Sequence, residues 1–491
     1  DRTSWRASSR ASTTLNTSAL RRSSSWSSGV TSPSASSTSE AICARSSRSS
    51  RNCSRNRAME GTKISTSASI TKMAVRIRNR PESDLNTRAL PSAASRQPTL
   101  HEAHHPFHNS AIKEPGREIG SGDALVDFAQ RGVGRDHARH VFHLELVGDD
   151  QCPEVDELEE RLSSYVNVKH CISCSSGTDA LLIPLMAMRI GPGDAVITTP
   201  FTYIATAEVI ALVGATPIFC DIYDRTFNIN PERLQKAFDF ALSRNLKPKA
   251  IIPVDLFGLP ARYRLIEKFA KKNNMMVIED AAQGFGGKIN DRIAGSFGDV
   301  AATSFFPAKP LGCYGDGGAI FTNNDELALK MKSIRVHGGG KDKYENMLIG
   351  INGRLDSIQA AVLLEKIKIF DYEMNSRNKA AQYYTQNINK KFTPPHVPSK
   401  YNSSWAQFSI ILPEELSRDK LIDKLRINGV PSMVYYKIPV HLQKGYSKYG
   451  NKIGDFVISE NISKKILSLP MHPYLNVSDQ DRILSILENS I

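Results

Sequence analysis

Residues 304–319 read "SFFPAKPLGCYGDGGA". A strand-like run ends at Ser304, a single lysine follows at Lys309, and four glycines fall between 312 and 318. A lysine there is either a solvated loop charge or an amine held for covalent chemistry. The preceding run, "VAATS" (300–304), is one of seven short apolar runs. The others are "HCISC" (170–174), "AVITT" (195–199), "PIFCD" (217–221), "AIIPV" (250–254), "MVIE" (276–279) and "GAIFT" (318–322). Helix-like stretches separate several of them, at 178–189, 202–213, 231–243 and 261–272. Strands alternating with helices predict an α/β architecture around a mostly parallel sheet. No helix fits between 300–304 and 318–322, so part of the sheet is predicted antiparallel.

Ahead of this region, "PEVDELEERLSSYV" (153–166) carries apolar residues at helical spacing, with acids in its first turn. Behind it, an amphipathic helix over about 354–375 leads into a smaller α+β domain, 376–491. The expected organisation is therefore a large domain over 153–375 and a small one over 376–491. Residues 121–152 read as an atypical linker.

Residues 1–120 have a different character. The first sixty hold 20 Ser and 10 Arg, and the first hundred carry 17 Lys+Arg against 5 Asp+Glu. Subtraction leaves 46 against 45 for residues 101–491, so nearly all of the +13 net charge sits in the leading segment. That segment has no apolar period and is expected to be disordered or a non-native extension. A transit peptide and a polyanion-binding tail are its other readings. The near-neutral body gives no electrostatic footprint for nucleic acid. No apolar run approaches the ~20 residues of a membrane span. The seven cysteines form no framework, and Cys171 and Cys174 lack a second pair for zinc. Reduced thiols in a cytoplasmic protein fit them better. No metal site is expected, although seven of the twelve histidines cluster in "HEAHHPFHNS" and "DHARHVFH".

In a parallel α/β sheet, chemistry gathers where strands end. After 170–174 comes "SSGTDA", small residues opening a helix, which offers free N–H groups to a phosphate. After 195–199 comes "PFTYIATAE", with Phe201 and Tyr203 able to stack on a flat ring. After 276–279 comes "EDAAQGFGG", where Asp280 ends an apolar strand and needs a cationic partner. Ser304 and Lys309 follow the next run. A phosphate seat, a ring platform, a buried carboxylate and an amine together suit pyridoxal 5′-phosphate, whose ring nitrogen stays protonated beside a carboxylate.

With these residues in view, "SGTDALL", "PFTYIATAEVI", "VIEDAAQGFGG", "SFFPAKPLGCYGDGGAIFT", "RVHG" and "GINGRLDSIQAAVLLEK" make the chain from about 153 onward resemble the DegT/StrS sugar aminotransferases. It is most similar to members acting on UDP-linked 3-oxo sugars, notably UDP-2-acetamido-3-oxo-glucuronate, in surface-polysaccharide and lipopolysaccharide O-antigen pathways. The resemblance implies the aspartate-aminotransferase-like fold type I, with a mixed seven-stranded sheet. It implies Lys309 as the Schiff-base lysine and Asp280 as partner of the pyridinium nitrogen. Tyr203 would stack on the ring, Gln283 would lie near the phenolic oxygen, and Gly177, Thr178 and Ser304 would hold the phosphate. Asn352 would reach the phosphate in the neighbouring subunit of a homodimer. His337 and His441 are candidate substrate contacts. The implied reaction moves an amino group from L-glutamate to a keto-sugar nucleotide. A sugar dehydratase of the same family, or a non-catalytic protein of this fold with a basic tail, are the alternatives. The segment "GDDQCPEV" sets Cys152 where the family carries glycine, and "YYKIP" sets Lys437 where relatives carry proline.

Overall fold

The computed structural model describes residues 152–340, 342 and 344–491. The expectations for residues 1–151 lie outside the described residues. The first half of the fold runs α1 (Pro153–Val166), β1 (His170–Cys174), α2 (Gly177–Ala187), β2 (Asp194–Thr198), α3 (Ala205–Leu212), β3 (Thr216–Phe219), α4 (Leu234–Ser243), β4 (Lys247–Ile252), α5 (Tyr263–Lys272) and β5 (Met276–Asp280). Two short strands, β6 (Lys288–Ile289) and β7 (Arg292–Ile293), precede β8 (Val300–Ser304), β9 (Gly318–Thr322) and α6 (Asp325–Arg335). The long helix α7 (Ser357–Asn387) leads to β10 (Tyr401–Asn402), β11 (Phe408–Ile411), α8 (Arg418–Ile427), α9 (Val457–Lys465), β12 (Ile466–Leu469) and α10 (Val477–Glu488).

Seven strands form the main sheet in the order β1-β9-β8-β5-β4-β2-β3. β9 runs antiparallel to both neighbours, and the pairs from β8 across to β3 are parallel. Six strands thus point one way, and their carboxyl ends share one edge.

Alternation along each strand feeds two faces. Ile172, Val196, Ile278 and Ile320 pack on one side with Leu181, Ile183 and Met331. Cys171, Ala301 and Phe321 pack on the other with Leu158, Leu162 and Leu363. Ile197, Ile251 and Val277 meet Leu234 and Ile266 on that same side. With both faces covered, the strands read as continuous apolar runs.

The seven expected runs all fall on strands, displaced by up to three residues. The long helix departs from expectation, running to Asn387 and through the expected border at 375/376. Its last turns carry Ala381 and Tyr384 into a separate apolar core beside Phe408, Leu467 and Ile483, and that packing holds the polar stretch in a helix. One helix therefore serves both cores.

Candidate active site

Four strand ends meet at one cavity of about 350 Å³, within the range that holds a cofactor. β1 delivers Ser176, Gly177 and Thr178, β2 delivers Tyr203, β5 delivers Asp280 and Gln283, and β8 delivers Ser304 and Lys309; all of these line the cavity. A smaller cavity of about 190 Å³ lies against Asp221 and Arg233, which already pair with each other at 3.3 Å.

The seat at α2 is built by local capping. Ser176 Oγ accepts from Asp179 N–H at 3.0 Å, and both Ser175 and Ser176 donate to Asp179 Oδ2. Capping leaves the first-turn N–H groups of Gly177 and Thr178 without intrahelical partners, so the helix end can hold an anion. The helix approaches β8 so closely that a Cβ on Gly177 would lie 2.5 Å from Ser304 Cβ. Ser304 Oγ accepts from Phe306 N–H at 3.3 Å.

Asp280 lies on the floor, buried. Its Oδ2 accepts from Thr206 Oγ1 at 2.8 Å, Thr206 contacts Thr202 at 3.0 Å, and its Oδ1 accepts from Ala282 N–H at 3.2 Å. Burial pushes the carboxyl up from its ordinary range, while Thr206, the Ala282 amide and the Lys309 charge hold it down. Burial likewise lowers the Lys309 amine, and Asp280 opposes that shift. The lysine is only half-buried, and its Nζ donates no hydrogen bond to a described residue. An amine poised in this way can reach a carbonyl carbon and then carry a proton.

Tyr203 stands over the cavity, 57% exposed, with a ring face open to stacking. Gln283 Oε1 accepts from Phe257 N–H at 2.8 Å, and its Nε2 donates to Tyr436 OH at 2.9 Å. Gln283 therefore ties the cavity wall to the carboxy-terminal segment. Gln407 also lines the cavity, and its buried Oε1 has no partner. This unpaired acceptor fits a bound group that carries a donor.

Three expected residues lie elsewhere. His441 is buried, paired through Nε2 with Glu460 Oε1 at 3.1 Å and wedged between Phe219 and Phe456. His337 takes a left-handed backbone at φ 54° in an exposed turn. Asn352 is exposed in a bridge to Val336. None of the three lines the cavity. Sequence reasoning missed Thr202, Thr206, Gln407, Tyr435 and Tyr436, although a threonine one helical turn into "TYIATAE" is a signal for a hydroxyl aimed back at a strand end.

A family model for DegT/DnrJ/EryC1/StrS aminotransferases matches residues 148–488. The chain belongs to that family. The aminotransferase is 43% identical over 338 residues to the UDP-2-acetamido-2-deoxy-3-oxo-D-glucuronate aminotransferase of Pseudomonas aeruginosa, a match covering 69% of this chain and 90% of the relative. A crystal structure of a family aminotransferase from Brucella abortus superimposes with TM-score 0.67 at 47% identity, over 72% of this chain and 97% of that one. The Bacillus subtilis protein NtdA, solved with bound cofactor PMP, gives TM-score 0.64 at 29% identity over 73% and 82%. The aminotransferase has fold type I, as expected from the sequence, and its cofactor is pyridoxal 5′-phosphate.

Proposed function

We propose that this aminotransferase takes an amino group from L-glutamate and delivers it to a UDP-linked 3-oxo sugar, as a cytoplasmic homodimer. One observation carries the reading: Lys309, Asp280 and the capped start of α2 meet in one cavity. When bound, pyridoxal phosphate supplies an electron sink. The N–H groups of Gly177 and Thr178, with Ser304, hold its phosphate, and Tyr203 covers its ring. Asp280, kept ionised by Thr206 and the Ala282 amide, holds a proton on the pyridine nitrogen. Lys309, its basicity lowered by burial, would hold the cofactor through its aldehyde and would take the proton from the amino donor's α-carbon in one half-reaction and return one to the acceptor carbon in the other.

The dimer is supported from two sides. Lys309 is the only cation among the described residues lining the cavity, whereas glutamate and a sugar nucleotide are both anions, so further cations must come from outside it. Tyr344 and Ile349, each 87% exposed, and Met347, 64% exposed, are apolar side chains left open a few positions before Asn352. The cytoplasmic assignment is supported by the five cysteines among the described residues, all buried free thiols. Among the described residues, no helix is long and apolar enough to cross a membrane.

The test is the visible absorbance of protein loaded with pyridoxal phosphate, before and after L-glutamate. Wild type is expected to show a band that glutamate bleaches. Lys309→Ala is expected to lose that band and at least about 10²–10⁴-fold in rate. A band that survives in Lys309→Ala would remove the lysine from its role.

A further inference from the structure

Two buried carboxyl groups behind Asp280 have no part in the chemistry above. Glu279 precedes Asp280 on β5 and so points through the opposite sheet face. Asp255, on the segment leaving β4, lies near enough for the two carboxyl groups to interact. Both side chains are wholly buried. Glu279 accepts the N–H groups of Gly295 and Phe297, each at 2.8 Å. Asp255 Oδ1 accepts from Ala261 N–H at 2.8 Å and Tyr263 OH at 2.7 Å. Asp255 Oδ2 has no donor among the described residues, and Gly284 packs so close that a Cβ there would lie 2.6 Å from it.

The titratable groups around the pair are Tyr263 from α5 and Asp280 from β5, with Tyr401 of β10 feeling the charge from further off. No lysine or arginine among the described residues forms an ion pair with Asp255 or Glu279. Two ionised carboxylates cannot share such a site without a cation. A single proton resolves both defects: it removes one buried charge and gives Asp255 Oδ2 its missing hydrogen bond.

We propose that Asp255 and Glu279 share one proton at neutral pH and act as a monoanionic unit that positions Asp280. The link to Asp280 is direct, since Asp255 N–H donates to Asp280 O at 3.0 Å and Asp280 N–H donates to Pro253 O at 2.9 Å. Burial, the largest cause, pushes Asp255 up to about 7 against its Glu279, Tyr263 and Ala261 contacts. Burial and then Asp255 itself push Glu279 well above the carboxylate range. A folded-state value above the unfolded one gives stability that is complete below about pH 4 and lost as pH rises through the folded value. The decline from Asp255 therefore falls between about pH 4 and 7, and that from Glu279 extends to higher pH. Above that window a second negative charge appears behind Asp280.

The test is made on protein loaded with pyridoxal phosphate, comparing wild type, Asp255→Asn and Glu279→Gln. Infrared spectra at about pH 6 should show a protonated-carboxyl stretch in wild type that each variant lacks, because the amide supplies the donor and the remaining acid ionises. Urea titrations should show the wild-type slope of stability against pH flattened in both variants. Glutamate-driven bleaching should follow the same pH profile in wild type and Asp255→Asn at about pH 6 and diverge above about pH 8, where only wild type gains a charge. A wild type without the stretch, a stretch retained in both variants, or coincident bleaching profiles would overturn the proposal. Should Asp255→Asn not fold, Glu279→Gln decides it on the same readouts.

Discussion

Among the groups that hold the Asp280 carboxylate charged is Thr206, the second residue of α3. A hydrogen bond to a charged group contributes about 1.5–3 kcal/mol, and one pKa unit corresponds to about 1.4 kcal/mol. Thr206→Val removes the hydroxyl at nearly constant volume, so Asp280 should ionise at higher pH. A carboxylate that works ionised and has its pKa raised is neutralised sooner as pH falls. The acid limb of glutamate-driven bleaching should therefore move to higher pH, and a limb that stays put would deny Asp280 its role. Lys309, Asp280 and the small residues at 175–178 were legible in the sequence because each follows an apolar run directly. Gln407 and Tyr436 were not, since tertiary folding brings them to the cavity from more than a hundred residues after Asp280. His441 illustrates the converse: a polar residue in a suggestive motif is satisfied by Glu460 and faces inward.

Among the secondary elements, the meeting of α2 with β8 is the tightest contact of the site. Gly177→Ala would drive a methyl into Ser304, and overpacking of this kind costs about 1–3 kcal/mol. The helix must retreat, and its N–H groups retreat with it. Calorimetric titration with pyridoxal phosphate should show weaker binding by roughly 10-fold or more for about 1.4 kcal/mol transmitted, with a lower melting temperature. Unchanged affinity would separate α2 from the phosphate. The elements themselves were readable wherever burial on both faces left a continuous apolar run. The two-residue strands β6, β7 and β10 were not, because so short a segment carries no period. The second half of α7 was also hidden, its helix fixed by contacts with residues nearly a hundred positions away.

For the whole molecule, the unmet need is for positive charge and for a cover over Tyr344 and Ile349. Replacing both with glutamate should weaken self-association by about 4 kcal/mol, roughly 10³-fold in Kd, if each anchors the interface. Sedimentation should then find wild type at twice the chain mass and the double variant at the single-chain mass, with its activity on anionic sugar nucleotides reduced. A monomeric wild type that retains full activity would reject the shared site.

The position of β9 also governs how the protein is made. Among the described residues β1 pairs with no strand but β9, and residues 175–317 lie between them. At about 5–20 residues per second, β1 and the Phe321-facing side of α1 wait on the order of ten seconds during synthesis with an open edge. An unpaired apolar edge recruits other chains, so nascent chains of this enzyme should require a chaperone to shield "HCISC". Yield in an overexpressing cell would then be limited by translation order rather than by the stability of the finished sheet.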